Sequence, residues 1–190
     1  MKILLKNRSL LQISGSDSEF FLQNQFSNDI TKISGFEIQL NAYCQHQGKI
    51  IGLLWVMRHK GNFLLSFPSD LLEVIKSRLQ MFVIMSNVYI EDISDSFSQI
   101  GLIDEKKSNA YKINNKLSLL VESQNNMSHQ IINDSTMWDK ACIKTLLPEV
   151  FLSTSEKFVP QMLNLDIDEF GVNFTKGCYP GQEVVARLHY

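Results

Sequence analysis

Cysteine is scarce in this chain of 190 residues: only Cys44, Cys142 and Cys178 occur, widely spaced and without a CxxC pair. An odd number at such spacings argues against a disulfide framework and against a structural zinc site. The histidines, at 46, 59, 129 and 189, form no HxxxH or HExxH pattern, and no GxGxxG or Walker loop is present. Metal, dinucleotide and P-loop chemistry therefore lose their usual sequence support. No apolar run approaches the ~20 residues that span a bilayer. The start, MKILLKNRSLLQI, is short and interrupted by Lys6 and Arg8, unlike a signal peptide. An excess of one charge is also lacking: 18 basic residues stand against 20 acidic ones, for a net charge of −2. With no basic stripe, direct nucleic-acid binding is not expected. These absences point to a cytoplasmic protein with no membrane partner.

What remains is ordinary globular material. Hydrophobic residues make up 44% and charged residues 20%, enough for a packed core. Residues 2–5 and 9–13 read as strands. "SGSDSEFFLQNQF" reads as a turn into a helix, with Ser16 and Glu19 spaced as a capping box. FEIQLNAYC (36–44) alternates as a half-buried strand does, whereas IIGLLWVM (50–57) is apolar throughout, as a strand buried on both faces is. NFLLSF is a further strand. Pro68-Ser69-Asp70 opens a helix to about Met85, with Leu71, Leu72, Ile75 and Leu79 on one face. Strands follow at VYIEDIS, SQIGLID, 110–113 and 117–121. A helix from Ser135 to Leu147 is halted by Pro148. FVPQMLNLDIDEFGVNF reads as a Pro-started turn, an acidic stretch and a short strand. Pro180 then suits the first turn of a last helix. Adjacent runs of strands imply an α+β fold with largely antiparallel sheet.

The chemistry concentrates in KGCYPGQE, residues 176–183. If Pro180 opens a helix, the Cys178 thiol lies near unpaired N–H groups, and Lys176 adds positive charge; both lower a thiol pKa. Gly177 and Gly181 permit close backbone approach. Gln182 and Glu183 fall in the first helical turn, and Val184, Val185 and Leu188 can anchor it. The same residues could equally form a tight turn around a packed cysteine.

KGCYPGQEVVAR resembles the KGCYxGQE signature of the YgfZ family of folate-binding, iron–sulfur-related proteins, which is related to the aminomethyltransferase (T-protein) of glycine cleavage. In order along the chain, ISGSDSEFFLQNQFSNDI, NAYCQHQGKIIGLLWV, Trp138 ahead of Pro148, and FVPQMLNLD are similar to further family segments. The resemblance implies one T-protein-like folate-binding domain over 1–190, divisible into two sub-lobes, with antiparallel sheets and helices around a central channel. It implies tetrahydrofolate or a related folate as cofactor. Trp138 matches a folate-contacting tryptophan, and Cys178 matches the family's functional thiol. Lys176, Gly177, Tyr179, Gly181, Gln182 and Glu183 match the rest of the motif. The implied partners are iron–sulfur client or assembly proteins, such as a tRNA methylthiotransferase.

Three departures qualify the match. Arg8 stands where a second folate-contacting tryptophan is expected; an arginine can stack on a ring or meet the folate glutamate tail. Ile51 and Gly52 stand where T-proteins carry a hairpin aspartate, which weighs against an active aminomethyltransferase, the alternative reading. The family's C-terminal β-barrel is not expected within these 190 residues, either because this is a short form or because the chain is cut, and an apolar face left open would favour homodimerisation. Trp55, in an apolar strand, reads as core.

Overall fold

The computed structural model describes residues 1–124 and 131–189, so His129 and the last residue of the expected final helix lie outside the described residues. The strands are β1 (Lys2–Leu4), β2 (Arg8–Ser14), β3 (Gln39–Cys44), β4 (Ile50–His59), β5 (Asn62–Pro68), β6 (Tyr89–Asp92), β7 (Phe97–Ile103), β8 (Tyr111–Lys112) and β9 (Leu117–Ser123). They form two antiparallel sheets, ordered β3-β4-β5-β2-β6 and β1-β7-β9-β8. The helices are α1 (Ser18–Gln23), α2 (Leu72–Phe82), α3 (Thr136–Lys144) and α4 (Gln182–His189). The mixed, antiparallel architecture agrees with the α+β reading.

β4 organises the packing. Its first eight residues are all buried, as its unbroken apolar run requires. Ile51, Leu54 and Val56 face one core, with Phe21 and Leu22 of α1 and Leu71, Ile75 and Leu79 of α2. Ile50, Leu53, Trp55 and Met57 face another. That second core gathers Leu117 and Leu119 from the smaller sheet, Trp138 from α3, and Val185 from α4. A glycine is needed where Trp138 crosses the smaller sheet: a Cβ on Gly101 would lie 2.4 Å from the indole.

Several local expectations change. Glu19 does not close a capping box; its carboxylate pairs with Arg58. The helix is capped by Asp17 without a side-chain cap bond, because Asp17 Oδ2 accepts the Asn87 N–H at 2.7 Å. β3 is buried from Leu40 to Cys44 rather than half-buried. Its polar Asn41 is satisfied internally, accepting the Asn28 N–H at 3.1 Å and donating to Gln39 Oε1 at 3.0 Å. α2 stops at Phe82, because Val83 leaves helical geometry; Leu72 is only partly buried. α3 stops before Pro148: Leu146 is left-handed and the Leu147 N–H bonds to Cys142 O at 2.9 Å, a Schellman closure. No strand forms at 171–175; the Val172 and Asn173 N–H groups bond instead to Leu165 O and Ser27 O.

α4 begins at Gln182, so Pro180 precedes the helix rather than opening it. Gly181 has φ +85°, and a Cβ there would lie 2.4 Å from Gln45 O and 2.8 Å from Gly48 Cα. The turn between β3 and β4 thus packs directly on the entry to α4. Val185 is buried as expected, but Leu188 is 55% exposed. Gly181→Ala meets both a positive φ and backbone contact. It should lower stability by about 2–4 kcal/mol, read from urea denaturation; a midpoint equal to wild type would show that the hairpin and α4 do not touch this tightly.

Candidate functional site

The motif loop is shaped by Asn173, whose Oδ1 accepts the N–H of Thr175 at 2.9 Å and of Lys176 at 2.8 Å. This turns Lys176 inward. Its side chain is buried and its Nζ donates to Gln23 O at 2.5 Å and to Phe26 O. Gln23 O belongs to the last residue of α1 and Phe26 O to the turn just beyond it, a helix C-terminal end where positive charge is favoured. The same Nζ lies 5.3 Å from the centre of the buried Tyr179 ring. Burial pulls the ammonium down to about 8. Lys176 therefore clamps the loop onto α1, its ammonium buried among backbone carbonyls.

Cys178 itself is exposed, as are Gly177 and Glu183. The helix expected to open beside it starts four residues later, beyond the left-handed Gly181. Gln182 opens that helix, its N–H bonded to Tyr179 O at 3.2 Å. The other two thiols are less exposed. Burial pushes Cys44 up to about 12. Cys142, partly buried, is also pushed up to about 12 by burial and by Glu149. The three cysteines thus occupy three different environments, and among the described residues no group of three or more His, Cys, Asp or Glu side chains could hold a metal.

Arg8 and Trp138, distant in sequence, line one cavity of about 550 Å³. Lys6, Asp139, Cys142, Leu147 and Glu149 also line it. Trp138 is both wall and core: it is 4% exposed and meets Trp55 edge-on, with ring centroids 6.1 Å apart. Arg8 does not reach outward as an unengaged cation. Its guanidinium stacks 3.6 Å from the centre of the Trp55 ring. Nε donates to Ser66 Oγ at 2.9 Å, Nη2 to Ser66 O at 3.0 Å, and Nη1 pairs with Glu149 Oε2. A planar fork on an aromatic face is a setting lysine could not reproduce.

Glu149 was not visible as a site residue in the sequence; only its place after Pro148 distinguished it. Burial pushes its carboxyl up, against the pull of Arg8. Oε2 holds Arg8, but Oε1 is buried with no hydrogen-bond partner among the described residues. An unsatisfied buried carboxylate oxygen costs free energy until a donor arrives.

A second cavity of about 360 Å³ is lined by Trp55, Leu147, Lys32, Asp168 and Glu169, among others. Leu147 lines both cavities, and Trp55 carries the Arg8 stack of the first while lining the second. The partition is thus about one side chain thick. Trp55 is core, as expected, yet its indole N–H is buried without a hydrogen-bond partner among the described residues. Asp168 and Glu169 on the rim are left-handed, with φ of 52° and 54°, the kind of backbone that clusters at functional sites. Neither cavity contains Cys178, Lys176, Ile51 or Gly52. Ile51 is buried in the core against α2, and a Cβ on Gly52 would touch Ile75 and Leu71.

Two measurements check this arrangement. Alkylation of the native protein at neutral pH should label Cys178 fast, Cys142 slowly and Cys44 only on unfolding; Cys178→Ser should abolish the fast phase, and its persistence would count against the assignment. Lys176 is held below the ordinary lysine range, so the folded chain releases its proton near pH 8 while the unfolded chain keeps it. Its contribution to stability therefore rises with pH from about 8 toward the normal lysine value. The stability difference between wild type and Lys176→Met should grow between pH 8 and 10; a flat difference would mean the amine is not buried.

Among the described residues, no helix is long and apolar enough to cross a membrane. No family model matches the chain. It is 31% identical over 194 residues to an uncharacterized protein of Haemophilus influenzae, across 99% of this chain and 68% of that one. It is 28% identical over 221 residues to the tRNA-modifying protein YgfZ of Buchnera aphidicola, across 98% of this chain and 68% of the relative. For the YgfZ of Vibrio atlanticus the identity is 27% over 207 residues, with 96% and 63% covered. The chain thus spans about two thirds of the length of these relatives. A crystal structure of glycine cleavage system aminomethyltransferase T from Bartonella henselae aligns over 53% of this chain and 27% of that one, at a TM-score of 0.48 and 11% identity. The ordered matches over nearly all of the chain, ending in the exposed cysteine of KGCYPGQE, make it a member of the YgfZ family.

Proposed function

We propose that this chain is a tetrahydrofolate-binding accessory protein that supports iron–sulfur cluster assembly or repair, and through it tRNA modification, with Cys178 as its functional thiol. The observation that carries the folate part is the convergence on one cavity. Arg8 and Trp138, the two positions that the family resemblance ties to folate, line it together with Glu149, whose buried Oε1 lacks a partner among the described residues. Its volume of about 550 Å³ lies within the range of roughly 300–1,000 Å³ usual for small-molecule sites.

The donor set fits a folate. A pteridine presents N–H donors along one ring edge, and Glu149 Oε1 is an acceptor in need of one. Trp138 and Leu147 supply apolar wall for a flat ring. The donors of Arg8 are largely engaged, so its part is to hold Glu149 in place rather than to meet the glutamate tail. Lys6, exposed at the same cavity, is the cation for that carboxylate. Bound tetrahydrofolate supplies a carrier of one-carbon units; the chain's own residues bind and orient it. With Ile51 and Gly52 packed against α2, the hairpin offers no carboxylate for aminomethyl transfer, which favours the accessory reading.

The names of the Buchnera and Vibrio relatives support a role in tRNA modification. Cys178 is the exposed thiol of the three. One cysteine cannot complete a four-thiolate cluster site, so cluster chemistry takes its other ligands from a partner protein.

Tetrahydrofolate should bind with micromolar affinity, around −8 kcal/mol, read by calorimetry and tryptophan fluorescence. Glu149→Gln should weaken binding by about 5- to 150-fold, the cost of roughly 1–3 kcal/mol for a charged acceptor lost in a buried site. Trp138→Ala should weaken it as well. Cys178→Ala should leave the affinity unchanged but lower tRNA methylthiolation when it replaces the wild-type chain in cells. Absence of heat and of a fluorescence change with the wild-type chain would overturn the folate reading.

A further inference from the structure

A third concavity, of about 590 Å³, lies at the far end of the smaller sheet, where the loop after β7 meets the turn between β8 and β9. Four lysines line it: Lys106, Lys107, Lys112 and Lys116. None of the four has an ion-pair partner among the described residues. Lys106, Lys112 and Lys116 are exposed. Two carboxylates share the concavity, Asp104 and Glu105. Glu105 is already occupied: it pairs with the N-terminal ammonium at 3.0 Å and with Lys2 at 3.7 Å, which brings two more positive charges to the same edge. This occurs in a chain whose net charge is −2.

The backbone holds these lysines together. β7 and β9 pair Ile103 with Leu117, so the two turns emerge side by side. The Asp104 N–H bonds to Lys116 O at 2.8 Å. Asn114 Oδ1 accepts the N–H groups of Lys116 and Leu117, both at 2.9 Å, and so fixes the hairpin that carries Lys116. Four like charges gathered on a fixed frame repel one another, and an anionic partner would relieve that repulsion.

We infer that this concavity is a docking surface for the phosphate backbone of RNA. Its lining chemistry selects that partner over an acidic protein. Ala110 is its lone apolar residue; the rest are lysine, asparagine, serine and the two carboxylates. Protein interfaces need aromatic or aliphatic anchors at their centre, and none is present. Phosphate contacts need only ammonium and amide donors. The whole-chain charge hid this surface, because acidic residues elsewhere cancel it.

The test is binding of the 190-residue chain to a fluorescein-labelled unmodified tRNA transcript, followed by anisotropy at several salt concentrations. Wild type should bind, with log K falling against log salt at a slope of about −3 for four phosphate contacts. A variant with Lys106, Lys107, Lys112 and Lys116 all changed to Gln should lose more than tenfold in affinity and most of that slope. A control with Lys60, Lys76, Lys140 and Lys157 changed to Gln should bind like wild type. If the quadruple variant does not fold, as judged by circular dichroism, Lys107→Glu with Lys116→Glu serves in its place. No binding by wild type, equal loss in the control, or competition by poly-glutamate as strong as by unlabelled RNA would each overturn the inference, the last in favour of an acidic protein partner.

Discussion

β4 is covered on both faces, and that constraint organises the molecule. A strand buried on both sides must send alternate side chains into two cores. Leu54 and Val56 go to the helical side, and Leu53, Trp55 and Met57 to the side shared with the smaller sheet. The largest of these, Trp55, reaches the space between the sheets. There it supports the guanidinium of Arg8 on its face and Trp138 at its edge, and it separates two cavities. The candidate site is thus a by-product of how a central strand disposes of an indole.

Arg8 illustrates how one replacement redistributes roles. In place of an aromatic wall the chain has a cation, which cannot stay buried alone. It is stacked on Trp55, bonded to Ser66 and paired with Glu149. The pairing leaves Glu149 with one spent oxygen and one open oxygen. A position that looked like a lost ligand contact instead holds a buried carboxylate in place. Lys176 shows the same logic at the motif loop: a lysine adjacent in sequence to a thiol serves the carbonyls at the end of α1 instead.

Much of the fold was legible in the sequence. The strands were, because period-two alternation and the apolar run of β4 report directly on burial. Helix ends were not: α2 and α3 stop short where Val83 and Leu146 leave helical geometry, and neither residue type announces that. Ser16 and Glu19 had capping-box spacing, but each end of the box found a tertiary partner that competed better. Of the candidate residues, the motif and its ordered companions singled out Cys178 and Trp138, and the cavity is lined by Trp138 but not by Cys178. Glu149 and the second role of Trp55 were not legible, because an orphaned acceptor or donor is defined by what surrounds it.

The sequence by itself singled out one thiol in a glycine-rich loop, and the family resemblance added Trp138, Arg8 and a hairpin without a carboxylate. Tertiary structure alone decided how they combine. It separated Lys176 from Cys178, joined Arg8 with Trp138 and Glu149, and set four lysines around one concavity in an acidic chain. The reason is physical. Burial, pairing and desolvation depend on neighbours brought together from distant parts of the chain, and no local pattern encodes who those neighbours are.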